Sequence, residues 1–503
     1  MIAKYLNTVR YLRPRQVYHR VHRQRPALPA SIAANPRETK RKLVRPIARA
    51  CAQTGENRFR FLNQERVIRT WNDPGIPKLW LYNLHYFEHP REELIERWIR
   101  ENPRGIGNGW EPYPLAIRIV NWIKWALARE AVDAKFLRSL AEQAEYLSQS
   151  LEHHLGANHL FADLAALVMA GMFFEGGARR WLEMGSKLLR AEIAEQILAD
   201  GGHYERSPMY HALVLESVLD LINIAQVYEL RMEADCALWA ETGGRMLRRL
   251  ATMTHPDGQI AFFNDAAFGV APEPVELWDY AARLGVEAAA ECRECASGYV
   301  RLENGDAMAL FDAAPVGPDY QPGHAHADTL SFEVSTGGRR VVVNSGTSTY
   351  ERGSERQWQR GTAAHNTVRV DGEDQSEVWS AFRVARRARP FNVRTDGKTF
   401  VEAAHDGYCR LSNPVIHRRR LELSADRVTV KDSIEGNGQH RVEIFFHFHP
   451  EAEARVALDR KLAGQMLRTQ WHPEFHRAVD NTTVVGSWTG ACPVTFTTTV
   501  FLS

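Results

Sequence analysis

The chain has 503 residues, of which 44% are hydrophobic and 25% charged, and its formal net charge is +2. This composition predicts an ordinary globular protein, long enough for more than one domain and for large cores. The near-neutral charge predicts no nucleic-acid partner, and no stretch approaches the roughly 18 apolar residues that a membrane-spanning helix needs. The six cysteines are too few for a disulfide scaffold, and Cys292-x-x-Cys295 has no second pair at zinc-site spacing.

Positive charge is concentrated at the N-terminus. Residues 1–50 contain 13 Lys or Arg and the single acid Glu38. Such a segment indicates contact with something anionic, and a solvated, loosely attached arm is the alternative. The first residues run straight into Arg10 and Arg13 without the apolar core of a signal peptide. As written, the sequence predicts a cytoplasmic protein, or a periplasmic one if a signal peptide has been removed.

The pattern of residues 61–296 is helical. Apolar residues recur at three- and four-residue spacing from Leu115 to Ala126 and over further segments joined by short turns. We expect these further helices over roughly 135–152, 158–174, 179–199, 210–230, 236–253 and 275–285. Repeated helical hairpins pack as a bundle, an α-solenoid or an α/α toroid. The absence of a short fixed sequence repeat weighs against arrays of the TPR or HEAT kind.

The pattern of residues 297–503 has period two. Segments such as Tyr299–Leu302 and Ala307–Phe311 alternate between apolar and polar residues and flank the turn Asn304-Gly305. Many short strands without intervening helices predict an antiparallel β-sandwich. The expected fold is therefore α+β and multidomain: a basic segment (1–60), a helical domain (61–296) and a β-sandwich (297–503).

Two histidines stand out in the motif Gly323-His-Ala-His-Ala-Asp328, just before an apolar run. Side chains two apart in a strand share a face, so His324 and His326 are expected to point the same way. Such a pair suits proton transfer, metal binding or one of each, and solvated surface histidines are the alternative.

The helical half carries three polar clusters at element ends. Asn158 follows a Gly-containing turn, where it either caps a helix or binds a ligand. The run Asp200–His211 contains His203, Glu205 and Tyr210 and interrupts the helical pattern, as binding loops do. Tyr210 has a purely structural alternative as an aromatic residue packed at a helix start.

The third cluster combines Trp110 and Glu111 with Arg118 further along the chain. Aromatic rings cover the apolar faces of sugars, and charged groups bind their hydroxyls and carboxylates. The cluster therefore suits a carbohydrate groove, with an ordinary core tryptophan as the alternative.

A metal site is expected in the β half. Asn344 follows His326 by 18 positions, and His365 follows Asn344 by 21. Two imidazoles and one oxygen donor from three adjacent strands would suit a structural zinc or similar ion.

Five motifs in this order resemble the heparinase II/III family of polysaccharide lyases, most closely its heparinase III-like branch. They are the turn around Asn158, the run from Asp200 to Tyr210, Gly323–Asp328, Asn344–Tyr350 and Ala364–Thr367. The resemblance covers about residues 80–450. It implies an incomplete α/α toroid followed by an antiparallel β-sandwich, in agreement with the change of pattern near residue 297.

The resemblance also implies β-elimination at a uronic acid of an anionic polysaccharide, either glycosaminoglycan-like or a bacterial exopolysaccharide. Asn158 would bind the uronate carboxylate, Tyr210 would protonate the leaving oxygen or act as both base and acid, and His324 would be the second proton-transfer group. The predicted substrate-binding residues are Trp110, Glu111, Arg118, His203 and Glu205.

The metal site that the resemblance implies would hold a structural divalent ion, zinc or calcium, at His326, Asn344 and His365. The family commonly has aspartate at the position of Asn344, so the charge that helps to hold a divalent ion is missing here. No organic cofactor is expected.

Two other functions remain open at this point. A glycoside hydrolase needs two carboxylic acids across the bond, and Glu111 and Glu205 are the available pair. A non-catalytic polysaccharide-binding protein of exopolysaccharide assembly would use the same groove without turnover.

Overall fold

The computed structural model describes residues 2–22, 26–27, 32, 34–290 and 295–502. Its first half is helical and its second half is made of antiparallel sheets, so the expected α+β architecture is confirmed. The pair Cys292/Cys295 lies partly outside the described residues. Cys51, Cys236, Cys409 and Cys492 are free thiols, and no described helix meets the length and apolarity that crossing a bilayer requires.

The chain begins with two short helices, which are followed by a small sheet. The helices are α1 (Ile2–Val9) and α2 (Pro14–Val21). The sheet consists of three antiparallel strands, β1 (Gln53–Gly55), β2 (Arg58–Phe61) and β3 (Gln64–Val67). The basic N-terminal segment is therefore folded over part of its length.

Nine helices follow among the described residues: α3 (Lys78–Tyr86), α4 (Glu92–Glu101), α5 (Pro112–Leu127), α6 (Ala134–Ser148), α7 (Ala157–Phe173), α8 (Arg179–Gln196), α9 (Pro208–Val227), α10 (Glu233–Thr252) and α11 (Pro274–Leu284). The six helices expected from 135 onwards are confirmed to within a few residues. Short 3-10 turns cover Asn108–Trp110 and Gly176–Ala178.

Helix α7 lies at the centre of the helical region. It is apolar on nearly every side and packs against α5, α8 and α9. A Cβ added to Gly171 would lie 2.5 Å from the backbone nitrogen of Leu182, so this glycine permits the close approach of α8. One apolar core runs through these helices.

The described part of the second half contains three sheets of four or six strands and one two-stranded hairpin. The strands are β4 (Tyr299–Asn304), β5 (Ala307–Asp312), β6 (Phe332–Thr336), β7 (Arg339–Val342), β8 (Val368–Val370), β9 (Val378–Trp379), β10 (Arg383–Val384), β11 (Pro390–Thr395), β12 (Phe400–His405), β13 (Val415–Leu423), β14 (Arg427–Gly436), β15 (Gln439–His447), β16 (Val456–Ala457), β17 (Ala463–Glu474), β18 (Arg477–Ala491) and β19 (Val494–Phe501). A short helix α12 (Ser354–Arg360) and the 3-10 turn Thr362–Ala364 interrupt them.

The sheet orders are β11-β12-β13-β14-β19-β16, β17-β18-β15-β8 and β4-β5-β6-β7, and β9 and β10 form a separate hairpin. Ladder pairings between neighbouring strands are antiparallel. The three sheets share a second apolar core. This core between the sheets gives the sandwich that the alternating pattern predicted.

The histidine motif does not lie in a strand. His324 and His326 are in the loop before β6, which begins at Phe332. Asn344 and His365 likewise lie outside strands, after β7 and after the turn Thr362–Ala364. The expectation of three adjacent strands is therefore wrong. The shared placement of these side chains comes from loop packing rather than from strand alternation.

Candidate functional site

A cavity of about 730 Å³ opens where the helical region meets the loops of the sheet region. Asn158 and Tyr210 reach it from α7 and α9. His324 and Tyr350 reach it from the loops before β6 and after β7. The structure thus brings the three predicted catalytic side chains to one cavity, together with Tyr350.

Tyr210 is held at the start of α9. The hydroxyl of Ser207 caps this helix and accepts the backbone N–H of Tyr210 at 3.2 Å. The Tyr210 ring stacks on the His324 ring with 3.8 Å between centroids. Its hydroxyl lies 3.0 Å from that of Tyr350. Burial and the neighbouring Tyr350 raise the pKa of Tyr210 well above its ordinary value, so the phenol is protonated at neutral pH.

Asp265 joins the two histidines of the motif. His324 Nδ1 donates to one carboxylate oxygen at 2.9 Å, and His326 Nε2 donates to the other at 2.8 Å. The Arg356 guanidinium pairs with both oxygens, one contact being 2.7 Å. All three partners converge on a fully buried carboxylate.

This convergence fixes the charge of Asp265. Burial alone would raise the pKa of Asp265, but the charge of Arg356 and the donors from both histidines hold it well below its ordinary value. The ionised carboxylate keeps a proton on His324 Nδ1. In the neutral ring, Nε2 is then the acceptor that is available for a substrate proton.

Asn158 is the second residue of α7, not its cap. Gly156 occupies the cap position, and Ala157 has a positive φ of 54°. Asn158 Nδ2 donates to Glu205 Oε2 at 2.8 Å, which orients the amide and leaves its second N–H for a ligand. The side-chain oxygen of Asn158 is buried without a protein partner among the described residues. The capping interpretation is therefore wrong.

His203 and Glu205 lie behind Asn158 and are both buried. His203 Nε2 bonds Gln196 Oε1 at 3.1 Å, and its Nδ1 lies 3.6 Å from Glu205 Oε2. Neither side chain lines the cavity. The expected direct contact of His203 and Glu205 with substrate is therefore wrong. Glu205 instead holds the Asn158 amide, and His203 lies beside Glu205.

Trp110 and Arg118 are core residues. Arg118 is fully buried, donates to Gly109 O and Gln143, and stacks over the Trp98 ring at 3.9 Å. The Trp110 ring also packs against Trp98. The predicted substrate contact of this pair is wrong, because both side chains are buried in the helical region and neither lines the cavity.

Glu111 is half-buried beside the cavity. It accepts a hydrogen bond from Tyr82 and pairs with Lys78 Nζ at 2.8 Å. Tyr82 and Lys78 line the cavity, whereas Glu111 itself does not. Glu111 therefore positions two lining side chains.

The three predicted metal ligands are only partly suited to an ion. His326 Nδ1 and His365 Nε2 face each other at 3.1 Å, and burial lowers the pKa of each ring to about 4. Asn344 Oδ1 accepts from Asn366, and its Nδ2 donates to Phe262 O at 2.9 Å. The Asn344 amide is thus committed to the protein, and the two imidazoles are the members of the set that remain available to an ion.

Within the described ranges, no group of three or more His, Cys, Asp or Glu is arranged to hold a metal. A metal at this position remains a prediction, and no step of the proposed chemistry depends on it.

Sequence reasoning missed four site residues. Asp265 and Arg356 form the buried pair under the histidines. Tyr350 contacts Tyr210. His159 lines the cavity, and its Nδ1 lies 2.8 Å from Glu152. Burial alone would lower the pKa of His159, but the Glu152 carboxylate raises it. Tyr350 and His159 stand inside motifs that the sequence had marked, whereas Asp265 and Arg356 lie in unmarked stretches.

Comparison with known proteins agrees with this architecture. The family model for the heparinase II/III N-terminus matches residues 98–272, and the model for the heparinase II/III-like C-terminal region matches residues 295–500. A crystal structure of heparinase III shares the fold with a TM-score of 0.65 at 18% identity, covering 82% of this chain and 72% of that one.

Two curated relatives differ in name. The heparin-sulfate lyase of Pedobacter heparinus is 25% identical over 316 residues, which is 55% of this chain and 47% of the lyase. The FtsZ-localized protein C of Caulobacter vibrioides is 28% identical over 414 residues, which is 73% of this chain and 67% of that protein. The chain spans about half the length of the Pedobacter lyase.

Family models thus match both halves of the chain, the helical region in one case and the sheet region in the other, in the order that the fold requires. The chain belongs to the heparinase II/III family.

Proposed function

We propose that the protein is a polysaccharide lyase that cleaves a uronate-containing polysaccharide by β-elimination. The observation that carries the proposal is the meeting of Asn158, Tyr210 and His324 at one cavity, with Asp265 fixing the tautomer of His324. These groups supply the three requirements of the reaction: a carboxylate binder, a base and an acid.

The difficult step is removal of the weakly acidic C5 proton beside the uronate carboxylate. Negative charge spreads into that carboxylate as the proton leaves, so a donor placed there lowers the barrier. The free N–H of Asn158 is suited to this role, because Glu205 holds the other N–H and so fixes the amide orientation.

Proton transfer then completes the elimination. His324 Nε2 takes the C5 proton, the C5–H electrons form the C4–C5 double bond, and the C4–O bond breaks. The Tyr210 hydroxyl gives its proton to the leaving oxygen, a role supported by the raised pKa of this phenol. The close stacking of the two rings also allows the alternative in which Tyr210 is both base and acid.

We further propose that the substrate carries few or no sulfates. Five Lys or Arg of the described residues line the cavity, and three of them already pair with carboxylates. Arg49 pairs with Glu216 at 2.7 Å, Lys124 with Asp220 at 2.7 Å, and Lys78 with Glu111. Highly sulfated chains are normally bound by unpaired cations, so this balance favours a polymer whose main charge is the uronate itself.

The test is near-ultraviolet absorbance of the unsaturated product during incubation with hyaluronan, alginate, chondroitin and heparan sulfate, with and without chelator. We expect the absorbance to rise at least about tenfold faster with an unsulfated polymer than with heparan sulfate. The chelator should leave this rate unchanged. New reducing ends without the absorbance would instead indicate hydrolysis. The buried position of Glu205 beneath Asn158 argues against that result.

A second candidate is a role without turnover. It is supported by the relative named FtsZ-localized protein C, which matches a larger share of this chain than the Pedobacter lyase does. A flat absorbance trace across the panel, together with saturable binding of a uronate polymer in a calorimeter, would favour this candidate over the lyase.

A further inference from the structure

Exposed apolar side chains are concentrated in the first two helices. In the described part of the chain, 13 large apolar or aromatic side chains are exposed, and 7 of them lie before residue 22. They are Ile2, Tyr5, Leu6, Val9, Val17, Tyr18 and Val21. Clusters of this kind mark interaction surfaces, whereas single exposed apolar residues are ordinary.

These helices are not a loose arm. The Thr8 hydroxyl of α1 accepts from Trp379 Nε1 at 3.1 Å, and the Tyr5 ring packs edge-on against Trp379. In α2, the buried Gln16 donates to Tyr320 O at 3.1 Å, and Arg13 stacks over the Tyr320 ring at 3.6 Å. One side of each helix is therefore attached to the protein.

The remaining side of α1 is apolar. Ile2, Leu6 and Val9 follow the i, i+4, i+7 spacing that places residues on one helix face, and they are 78%, 66% and 53% exposed. In α2, Val17 and Val21 are one turn apart and are exposed as well. Each helix thus presents an apolar row that no part of the described chain covers.

The charged side chains of the segment that carries these rows are all basic, and one of them, Arg13, pairs with Glu195 of α8. No Asp or Glu precedes Glu38 in the sequence. Lys4 and Arg20 lie on the two helices, Arg10 directly follows α1, and none of the three has a carboxylate partner among the described residues. An apolar row bordered by unpaired basic residues is the pattern of a helix that lies in the interface of an anionic bilayer.

We propose that α1 and α2 form a docking surface for anionic lipid, which holds the protein against a membrane without crossing it. A second copy of the chain is a poor occupant, because pairing this face with itself would bring like charges together. A nucleic acid or polysaccharide would pair with the basic residues but would leave the apolar rows in water. Lipid headgroups and acyl chains satisfy both features together.

The experiment is co-sedimentation of the full chain with phosphatidylcholine vesicles, with and without phosphatidylglycerol. We expect binding to the anionic vesicles that weakens with salt. The double variant Leu6→Ser/Val9→Ser should bind at least about tenfold more weakly, as should Lys4→Gln/Arg20→Gln. Met466→Ser and Lys187→Gln are matched controls at exposed sites elsewhere and should bind like the wild type.

Thermal unfolding checks that each variant folds like the wild type. Failure of the wild type to sediment with anionic vesicles would overturn the proposal, as would equal binding to neutral vesicles. Self-association that Leu6→Ser/Val9→Ser abolishes, without any vesicle binding, would assign the surface to a second copy and overturn it too.

Discussion

At the scale of single residues, Asp265 determines what the two motif histidines can do. It binds His324 and His326 through different oxygens and pairs with Arg356 beneath them. The carboxylate thereby sets the tautomer of His324 and stacks this ring against Tyr210 in one fixed orientation. A buried carboxylate that orients an imidazole in this way is a common device for making histidine a base.

Replacing Tyr210 with phenylalanine tests the proton donor. The ring still stacks on His324, but the acid is gone, so we expect kcat to fall about a hundredfold or more. The free energy of unfolding should change by only about 1 kcal/mol, because a single hydrogen bond to Tyr350 is lost.

Tyr350→Phe is the matched control for this variant, since it removes the same hydrogen bond from the other side. It should lower kcat much less than Tyr210→Phe does. Equal losses in the two variants would show that the tyrosine pair acts as a unit and that Tyr210 alone is not the acid.

The depressed pKa of Asp265 predicts that the stability of the protein depends on pH. Its pKa in the folded protein is depressed, so ionised Asp265 stabilises the fold above the unfolded pKa of about 3.9. That contribution is lost as the pH falls from there through the folded pKa. Asp265→Asn should therefore flatten the loss of stability below about pH 4.

The same variant should lower the free energy of unfolding near neutral pH by about 3 kcal/mol, because the buried Arg356 charge loses its partner. Urea titrations at several pH values measure both effects. Asp235→Asn, which removes a carboxylate from Arg190 between α8 and α10 and away from the cavity, is the control and should leave activity unchanged. An unchanged acid profile in Asp265→Asn would contradict the depressed pKa.

At the scale of elements, helix α9 carries Tyr210 and is anchored by its cap. The Ser207 hydroxyl accepts from Tyr210 N and donates to the backbone oxygen of Asp265. A single side chain thus links the start of α9 to the residue that binds both motif histidines. The cavity geometry therefore depends on the end of one helix as well as on the side chains that we propose to be catalytic.

Ser207→Ala should lower stability by about 1 kcal/mol through loss of the cap and should also lower kcat, because Tyr210 and Asp265 are no longer tied together. Asp133→Ala removes the cap of α6, which contributes no residue to the cavity. The Asp133 variant should lose similar stability and keep its activity, as denaturant titration and initial rates will show. Equal loss of activity in both would assign the effect to stability alone.

At the scale of the whole molecule, buried polar contacts join the helical region to the sheets. Glu333 of β6 binds His255 Nε2 at 2.9 Å and accepts the backbone N–H of Phe262 at 3.0 Å. The cavity is lined from both regions, so its shape depends on this junction.

We expect the protein to unfold in a single transition, with far- and near-ultraviolet circular dichroism changing together. Glu333→Ala should lower stability by about 3 kcal/mol or more and reduce activity, because His255 and two backbone N–H groups lose their acceptor. Glu443→Ala, which removes an acceptor for Arg369 and Arg441 within the sheets, should spare activity. Two separate transitions in the wild type would show that the helical region and the sheets unfold independently, which would contradict this prediction.

The sequence by itself determined the fold class and most helix positions, because apolar periodicity is a local property that burial selects. It also marked the stretches that hold Asn158, Tyr210 and His324, which the structure brings to one cavity. In these motifs, polar groups stand at the ends of apolar elements, and the amino-acid sequence alone shows this change from apolar to polar residues.

Only the tertiary structure decided which polar groups meet. Arg118 and Trp110 have the residue types of a sugar site but are buried in the core of the helical region, where both pack against Trp98. Asp265 lies 59 positions before His324, and Arg356 lies 91 after Asp265. Contacts between such distant positions depend on how loops pack across the junction of two regions, and local periodicity carries no information about that packing.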